Sequence, residues 1–295
     1  MFKPNTLWTQ IVERTDAAIA TGHLISIPTH CEIVEDGGLR FVIRIAKNLE
    51  FKKRQRQLHN STDSSPNYNP FLPYDENMYI TDISDSHICL LNKFNVVKHH
   101  ILIVTRTFES QEHLLTYKDF LALWTCMFEF EGLGFYNAGR LAGASQTHKH
   151  LQIIPLLTAL DGDRLPLEIA IEKTGPHAKM FTSELLPFKH VFVKTTPDWL
   201  SSPEKAAQKT LENYLNMLAF TDIAGAQKDG RTGPYNLLLT RNWMFLAARS
   251  QESFHSISIN ALGFAGSFFV RNRTELHFVK KTGPLTILKN VAVSK

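Results

Sequence analysis

The chain opens with a helical rhythm. Leu7, Trp8, Ile11, Val12, Ala18 and Ile19 recur at three- and four-residue intervals, with Thr6 placed to cap the start and Gly22 to stop the end. The spacing predicts an amphipathic packing helix over residues 6–21. The period then changes to two: in "LRFVIRIAKN", Phe41, Ile43 and Ile45 alternate with Arg40, Val42, Arg44 and Ala46, as a strand requires. Residues 57–77 are rich in Ser, Asn, Asp and Pro and nearly free of aliphatic side chains, which predicts a long loop. Loops of that length in compact domains are usually functional or mobile.

Two β-branched runs, "HICLLNKF" and "HHILIVTR", are separated by "NVVK" and predict paired strands of a buried sheet. Thr116 and Asp119 then fit a Thr-x-x-Asp start resembling a capping box. The helix behind it carries Phe120, Leu123, Trp124, Met127 and Phe128 on one face, a stripe that reads as core. "LGFYNAG" and "THKHLQIIPL" predict two further strands joined by a glycine-rich turn, so the order is strand, strand, helix, strand, strand. After residue 195, "TTPDWLSSPEK" resembles a linker, and Ser202, Pro203 and Glu204 start a helix over 203–220. A second unit is expected near here, with strands at "YNLLLT", "WMFLAAR", "HSISINA" and "ELHFVK", punctuated by Gly233-Pro234, Gly263, Gly266 and Gly283-Pro284.

Composition narrows the class without redrawing the elements. With 295 residues, 43% of them hydrophobic, 11% aromatic and 20% charged, the chain is an ordinary globular protein of one large or, as preferred here, two modest domains. The formal charge of +4 favours a small anionic ligand over duplex nucleic acid. Cys31, Cys89 and Cys126 are widely spaced and form no Cys-x-x-Cys pair, so neither a disulfide framework nor a zinc ribbon is indicated and a reducing cytoplasm is expected. The first residues, with Lys3, Glu13, Arg14 and Asp16, lack the apolar run of a secretory signal, and no stretch approaches the ~18 apolar residues of a membrane span.

The chemistry concentrates in "GASQTHKHLQIIPL". Alternate residues of a strand share a face, so His148, His150 and Gln152 project together while Lys149, Leu151 and Ile153 point the other way. Imidazoles there can serve as nucleophile, acid, base or ligand. Asn137, Gly139, Gly143, Ser145, Gln146 and Thr147 precede them, and such small-residue turns offer amides and hydroxyls to phosphate oxygens. The glycines of "EGLGFYNAG" lack the following helix of a dinucleotide fingerprint.

Blander readings exist for each feature. His-x-His on a strand is also a zinc pair, though Gln152 is a poor third ligand and no Cys, Asp or Glu sits nearby. Two satisfied core histidines would look the same. "KKRQR", residues 52–56, could grip RNA or be a solvated face, Asn92-Lys93 could be turn chemistry, and Asp161 and Asp163 around Gly162 read as a surface turn.

The segment "YNAGRLAGASQTHKHLQIIP" resembles the active-site stretch of the diadenosine tetraphosphate phosphorylase family (ATP adenylyltransferases), a branch of the histidine triad superfamily with His-x-His-x-Gln. "NPFLPYDENMYI", "LLNKFNVVKHHILIVTRTFESQ", "YNLLLTRNWMFLAARSQE" and "SINALGFAGSFFV" are similar to other parts of that family, in family order. The resemblance implies an α+β fold: a histidine triad-like antiparallel sheet with flanking helices over residues 1–190, and a smaller C-terminal α+β domain over 191–295.

It implies phosphorolysis of diadenosine tetraphosphate to ADP and ATP, and the reverse, through an adenylyl group on His150. His148 would bind phosphate or the departing oxygen, and Gly143, Ala144, Ser145, Gln146 and Gln152 would stabilise the phosphoryl oxygens. Asn92, Lys93 and Asn137 would lie near the nucleotide, Lys52 or Lys53 on the polyphosphate, and Asn260, Ala261 and Leu262 at the C-terminal nucleotide contact. The expected partners are diadenosine tetraphosphate, ATP, ADP and phosphate, with no nucleic acid or membrane. No tightly bound cofactor or protein metal site is expected, and any divalent cation such as Mg would come with the substrate. Galactose-1-phosphate uridylyltransferases share Ser145, His148, His150 and Gln152 as a core and give the alternative, an enzyme on nucleoside diphosphate sugars. Lys149 stands where those relatives usually carry proline. A non-catalytic nucleotide- or RNA-binding protein is the third reading.

Overall fold

In the computed structural model, residues 2–25, 30–45, 69–95, 97–156, 164–174, 179–223 and 230–295 are described, and they form seven α-helices and fourteen strands in three sheets. Lys52, Lys53, the rest of "KKRQR", Asp161 and Asp163 lie outside the described residues. Helix α1 (Leu7–Ala20) buries Leu7, Ile11 and Ala18, and Thr6 takes the N-cap position without a side-chain capping bond. Strands β1 (His30–Asp36) and β2 (Leu39–Ile45) form a hairpin in which β2 is buried on both faces from Phe41 onward.

Strand β3 (Tyr79–Asp82), which the sequence pattern did not mark, comes next; β4 (His87–Leu91) and β5 (Ile101–Thr105), helix α2 (Tyr117–Met127), and strands β6 (Gly132–Asn137) and β7 (His150–Pro155) then follow in the anticipated order. The capping box of α2 closes as its sequence requires: the Asp119 N–H donates to Thr116 Oγ1 (3.4 Å) and the Thr116 N–H to Asp119 Oδ2 (2.7 Å). Then come α3 (Pro166–Lys173), β8 (Met180–Phe181), β9 (His190–Lys194), α4 (Pro203–Phe220), β10 (Tyr235–Leu239) and β11 (Trp243–Ala248). The chain ends with the ribbon β12 (Ser253–Phe254) and β13 (Ile257–Ser258), α5 (Ala261–Phe264), β14 (Ser267–Val270), α6 (Arg273–Thr282) and α7 (Pro284–Val291).

One expected strand is a helix. "ELHFVK" falls in α6, where Asn272 caps the start by accepting from the Glu275 N–H (3.0 Å) and Leu276 and Val279 are buried one turn apart. Capping by Asn and Glu overrode the short apolar alternation.

Nine strands make one antiparallel sheet in the order β3-β4-β5-β7-β6-β10-β11-β9-β8. The expected division at 190/191 falls at the start of β9, and strands from either side of it share this sheet through the β6–β10 pair, Asn137 opposite Asn236 and Leu237 opposite Tyr136. Helix α4, after the segment resembling a linker, packs on α2, with the Trp124 indole donating to Thr210 Oγ1 (2.7 Å). The two halves are therefore continuous in hydrogen bonding and in core, because β6 and α2 each have an apolar flank that the C-terminal half covers.

One sheet face packs against α1, α2 and α4 through a core that includes Ile11, Phe120, Trp124, Leu151 and Ile153. The other face packs against β1, β2, β14 and the C-terminal helices at one end, and carries a small cluster of Phe71, Ile88, Leu90, Leu102 and Val104 at the other. His150 lies beside Val104 in the β5–β7 register, and Gln152 lies between Leu102 and Phe135. The polar residues of β7 are thus set between two apolar clusters on one face.

Candidate active site

The alternation of β7 does what its period requires. His150 and Gln152 face one way, while Lys149 is turned to the reverse side, where Nζ donates to Glu109 Oε2 (2.7 Å) and the Leu114 carbonyl (3.1 Å) and lies 3.4 Å from Asp119 Oδ2. Asp119 also holds His87 Nε2 at 3.0 Å. Burial opposes its charge, but the His87 hydrogen bond and the Lys149 ammonium keep its carboxyl below the usual carboxylate range.

His150 is nearly enclosed, at 4% exposure. Its Nδ1 lies 2.8 Å from the His148 carbonyl, which can only accept, so Nδ1 carries the proton and Nε2 the lone pair. Burial pushes the imidazole down to about 4, against the opposing pull of that carbonyl, so the ring is neutral at pH 7. Phe71 packs against it with ring centroids 5.5 Å apart.

His148, expected on phosphate or the departing oxygen, has both ring nitrogens engaged within the protein. Nε2 donates to the carbonyls of Thr105 (2.8 Å) and Thr107 (3.1 Å), and Nδ1 accepts from the Asn69 amide (2.8 Å). Only Nε2 of His150 remains, which is too few imidazole nitrogens for a His-x-His zinc pair. Among the described residues no group of three or more His, Cys, Asp or Glu could hold a metal ion.

Gln152 Oε1 accepts from His100 Nε2 (2.9 Å), and His100 Nδ1 accepts from the Asn92 amide (3.1 Å). This relay fixes which end of the Gln152 amide is which. The donor end, Nε2, is the one that His100 does not engage. Lys93 follows Asn92 in the same turn and is exposed.

The loop before β7 contains a single turn of 3-10 helix over Arg140–Ala142, ended by Gly143 at φ +86°. A Cβ there would lie 2.6 Å from the Ile259 carbonyl and 2.9 Å from Asn260 Cα, so only glycine allows the close approach. Ala144 N–H donates to the Gly139 carbonyl (3.1 Å), whereas the amides of the exposed Ser145 and half-buried Gln146 make no hydrogen bond among the described residues. Donors of this kind suit an anion.

The expected C-terminal residues reach the same place. Asn260 caps α5 by accepting from the Leu262 N–H (3.0 Å), and the Ala261 N–H donates to Asn137 Oδ1 (2.9 Å). Asn137 Oδ1 also accepts from Asn236 Nδ2 (2.7 Å). Arg249 is buried behind them and donates to Asn236 Oδ1 (2.6 Å) and to the carbonyls of Ala142 (3.2 Å), Ile259 (2.9 Å) and Val291 (3.0 Å). Burial drops its guanidinium to about 9, against the weaker pull of the Glu252 carboxylate.

Of the expected residues, His148, His150, Gln152, Asn92, Asn137, Gly143, Asn260, Ala261 and Leu262 are thus joined by contacts, with Ala144, Ser145 and Gln146 on the adjoining loop. Asn69, Phe71, His100, Asn236 and Arg249 also belong to the assembly, as does Gln111, whose side chain bridges the His150 N–H and the Asn137 carbonyl; none of the six is among the residues expected from the sequence. The pair His99-His100 before a strand was a usable signal; the others lie in loops or core runs without periodicity.

The chain is similar to known proteins over most of its length. Residues 1–173 match the family model described as Ap4A phosphorylase N-terminal domain, and residues 184–294 match ATP adenylyltransferase C-terminal domain. Diadenosine 5',5'''-P1,P4-tetraphosphate phosphorylase 2 of Saccharomyces cerevisiae is 28% identical, covering 90% of this chain and 88% of its own length. Protein APA1 of the same yeast is 27% identical over 62% of this chain and 61% of its own. The crystal structure of yeast Ap4A phosphorylase Apa2 superposes with a TM-score of 0.81 at 21% identity, covering 100% of this chain and 99% of the yeast one, and so shares its fold. The chain belongs to the Ap4A phosphorylase family.

Proposed function

We propose that this chain catalyses the phosphorolysis of diadenosine tetraphosphate to ADP and ATP, and its reverse, with His150 Nε2 as the nucleophile. The family supplies the substrate, since a yeast member carries the phosphorylase name over nearly the whole length compared. The observation that supports the nucleophile most strongly is the 2.8 Å bond from His150 Nδ1 to the His148 carbonyl, which leaves a lone pair on Nε2 of a neutral ring.

In this reading Nε2 attacks the α-phosphorus, the bond from that phosphorus to the bridging oxygen breaks, and ATP leaves. The adenylyl-imidazole keeps its Nδ1 proton on the His148 carbonyl, which stabilises the positive charge the ring acquires. An oxygen of inorganic phosphate then attacks the same phosphorus, the P–N bond breaks, ADP leaves and His150 returns to its neutral form. The Ser145 and Gln146 amides, the Gly143 turn and the donor end of Gln152 hold the non-bridging oxygens. His148 acts through its carbonyl and its anchoring to Thr105, Thr107 and Asn69 rather than through its ring.

A divalent cation, in this reading, enters paired with the polyphosphate. Cys31, Cys89 and Cys126 are thiols rather than disulfides, which fits the cytoplasmic location we propose. No helix among the described residues is long and apolar enough to cross a membrane.

The test is ATP formation from diadenosine tetraphosphate with and without phosphate, for wild type and His150→Ala. Wild type should turn over only with phosphate, yielding ADP and ATP, and His150→Ala should lose at least about a thousandfold in kcat. A His150→Ala variant within about tenfold of wild type contradicts the assignment.

A further inference from the structure

The β6–β7 ladder runs from Gly132 opposite Pro155 to Phe135 opposite Gln152 and stops there. Continued in register, it would set Asn137 opposite His150. The ladder ends short of that pair: Asn137 keeps its partner on the opposite edge of β6, Asn236 of β10, but has none on β7, and the two strands part as they reach the residue that carries the reacting ring. Such a fork leaves main-chain groups of His150 and Asn137 without ladder partners in a buried place.

The carboxamide of Gln111, itself 1% exposed, fills the fork. Its Oε1 accepts from the His150 N–H (2.8 Å), and its Nε2 donates to the His150 carbonyl (3.2 Å) and to the Asn137 carbonyl (3.0 Å). Its main chain is tied to β6 and to the loop that leads into β7: the Gln111 N–H donates to the Thr147 carbonyl (2.8 Å), and the Tyr136 hydroxyl donates to the Gln111 carbonyl (2.6 Å).

We infer that Gln111 is a positioning residue for the nucleophile, a side-chain amide that replaces the missing ladder rung and fixes the main chain of His150 so that Nε2 meets the α-phosphorus at the right angle. The inference rests on the reading of His150 as nucleophile. Of the neutral or acidic side chains of this length, a carboxamide alone presents one acceptor and two donors in a single plane. Methionine has the length without the hydrogen bonds. A carboxylate has only acceptors and would face the two carbonyls, whereas a protonated carboxyl regains one donor.

The experiment uses the full chain as wild type, Gln111→Met and Gln111→Glu. It follows single-turnover adenylyl transfer to His150 from diadenosine tetraphosphate without phosphate, and steady-state kcat and KM with phosphate, from about pH 5.5 to 8.5. Gln111→Met should lower the transfer rate and kcat by about tenfold to a hundredfold, the scale of a small misplacement, with KM for the dinucleotide within about twofold. Gln111→Glu should approach wild type as the pH falls and lose activity as it rises, a limb that wild type and Gln111→Met lack.

A Gln111→Met enzyme that transfers at the wild-type rate, or that changes KM alone, overturns the inference. So does a Gln111→Glu profile parallel to that of wild type, which decides the matter even where Gln111→Met does not fold. Turnover by a wild type that carries no adenylyl on His150 would overturn the nucleophile assignment instead, so the two failures are distinct.

Discussion

At the scale of single residues, the controlling contact is the one that places the proton of His150 on Nδ1. Burial takes the ring down to about 4 from an ordinary value near 6.5, so its neutral, nucleophilic form persists well below pH 6.5. The rate of adenylyl transfer at limiting dinucleotide should therefore show no fall through pH 6.5 attributable to this ring. An NMR titration in which the His150 imidazole protonates with a midpoint near 6.5 would contradict the burial argument. The same shift has a stability consequence. His150, and likewise His190, which burial also lowers to about 4, binds its proton more readily in the unfolded chain. Their contribution is fully present above pH 6.5 and is lost as the pH falls through the window from 6.5 to about 4. Urea midpoints at pH 5 should accordingly lie below those at pH 7.

Gln152 makes a different point at the same scale. It is neutral, and the bond from His100 aims its oxygen away from any role as a base. Gln152→His would put a titratable base there and should raise AMP relative to ADP by at least about tenfold in the presence of phosphate. An unchanged product ratio would remove Gln152 from the control of water. His148, His150 and Gln152 were legible because a period of two puts polar groups on one face of an apolar strand. Gln111 was not, because a side chain that hydrogen-bonds main chain across the fold leaves no periodic mark around itself.

Among the elements, the turn at Gly143 joins the active-site loop to the segment before α5. Gly143→Ala needs a left-handed backbone and puts a methyl group against the Ile259 carbonyl and Asn260, so the loop must move. It should cost about 1–3 kcal/mol in stability and raise KM for the dinucleotide, as read by urea unfolding and steady-state kinetics. Wild-type values for both would show that the approach is not tight. Here the sequence was partly readable: glycine, serine and glutamine before the histidines indicated a phosphate turn, whereas the partner at Asn260 is distant along the chain. Local signals also conflicted in α6, whose "ELHFVK" satisfies both a short strand and a helix face. Asn272 and Glu275, the capping pair, carry the distinction.

On the scale of the whole molecule, the sheet is shared between the two halves, and Arg249 ties the site loop, β10 and α7 together from a buried position. Individual C-terminal strands could be recognised from their apolar runs, but the pairing of β6 with β10 depends on contacts between distant parts of the chain, for which local periodicity carries no information. Urea should consequently unfold the chain in one cooperative transition, coincident by far-UV signal and by Trp124 and Trp243 fluorescence. Two separated transitions would show that the halves on either side of 190/191 are stable independently of the shared sheet.

The central claim is that one ring nitrogen carries the nucleotide between two phosphates. Mixing the enzyme with diadenosine tetraphosphate without phosphate, quenching rapidly and sequencing the peptides by mass spectrometry tests it most directly. The expected result is one adenylyl group on His150, absent in His150→Ala and discharged as ADP when phosphate is added. Normal turnover with no adduct, or with the adduct on another side chain, would contradict it.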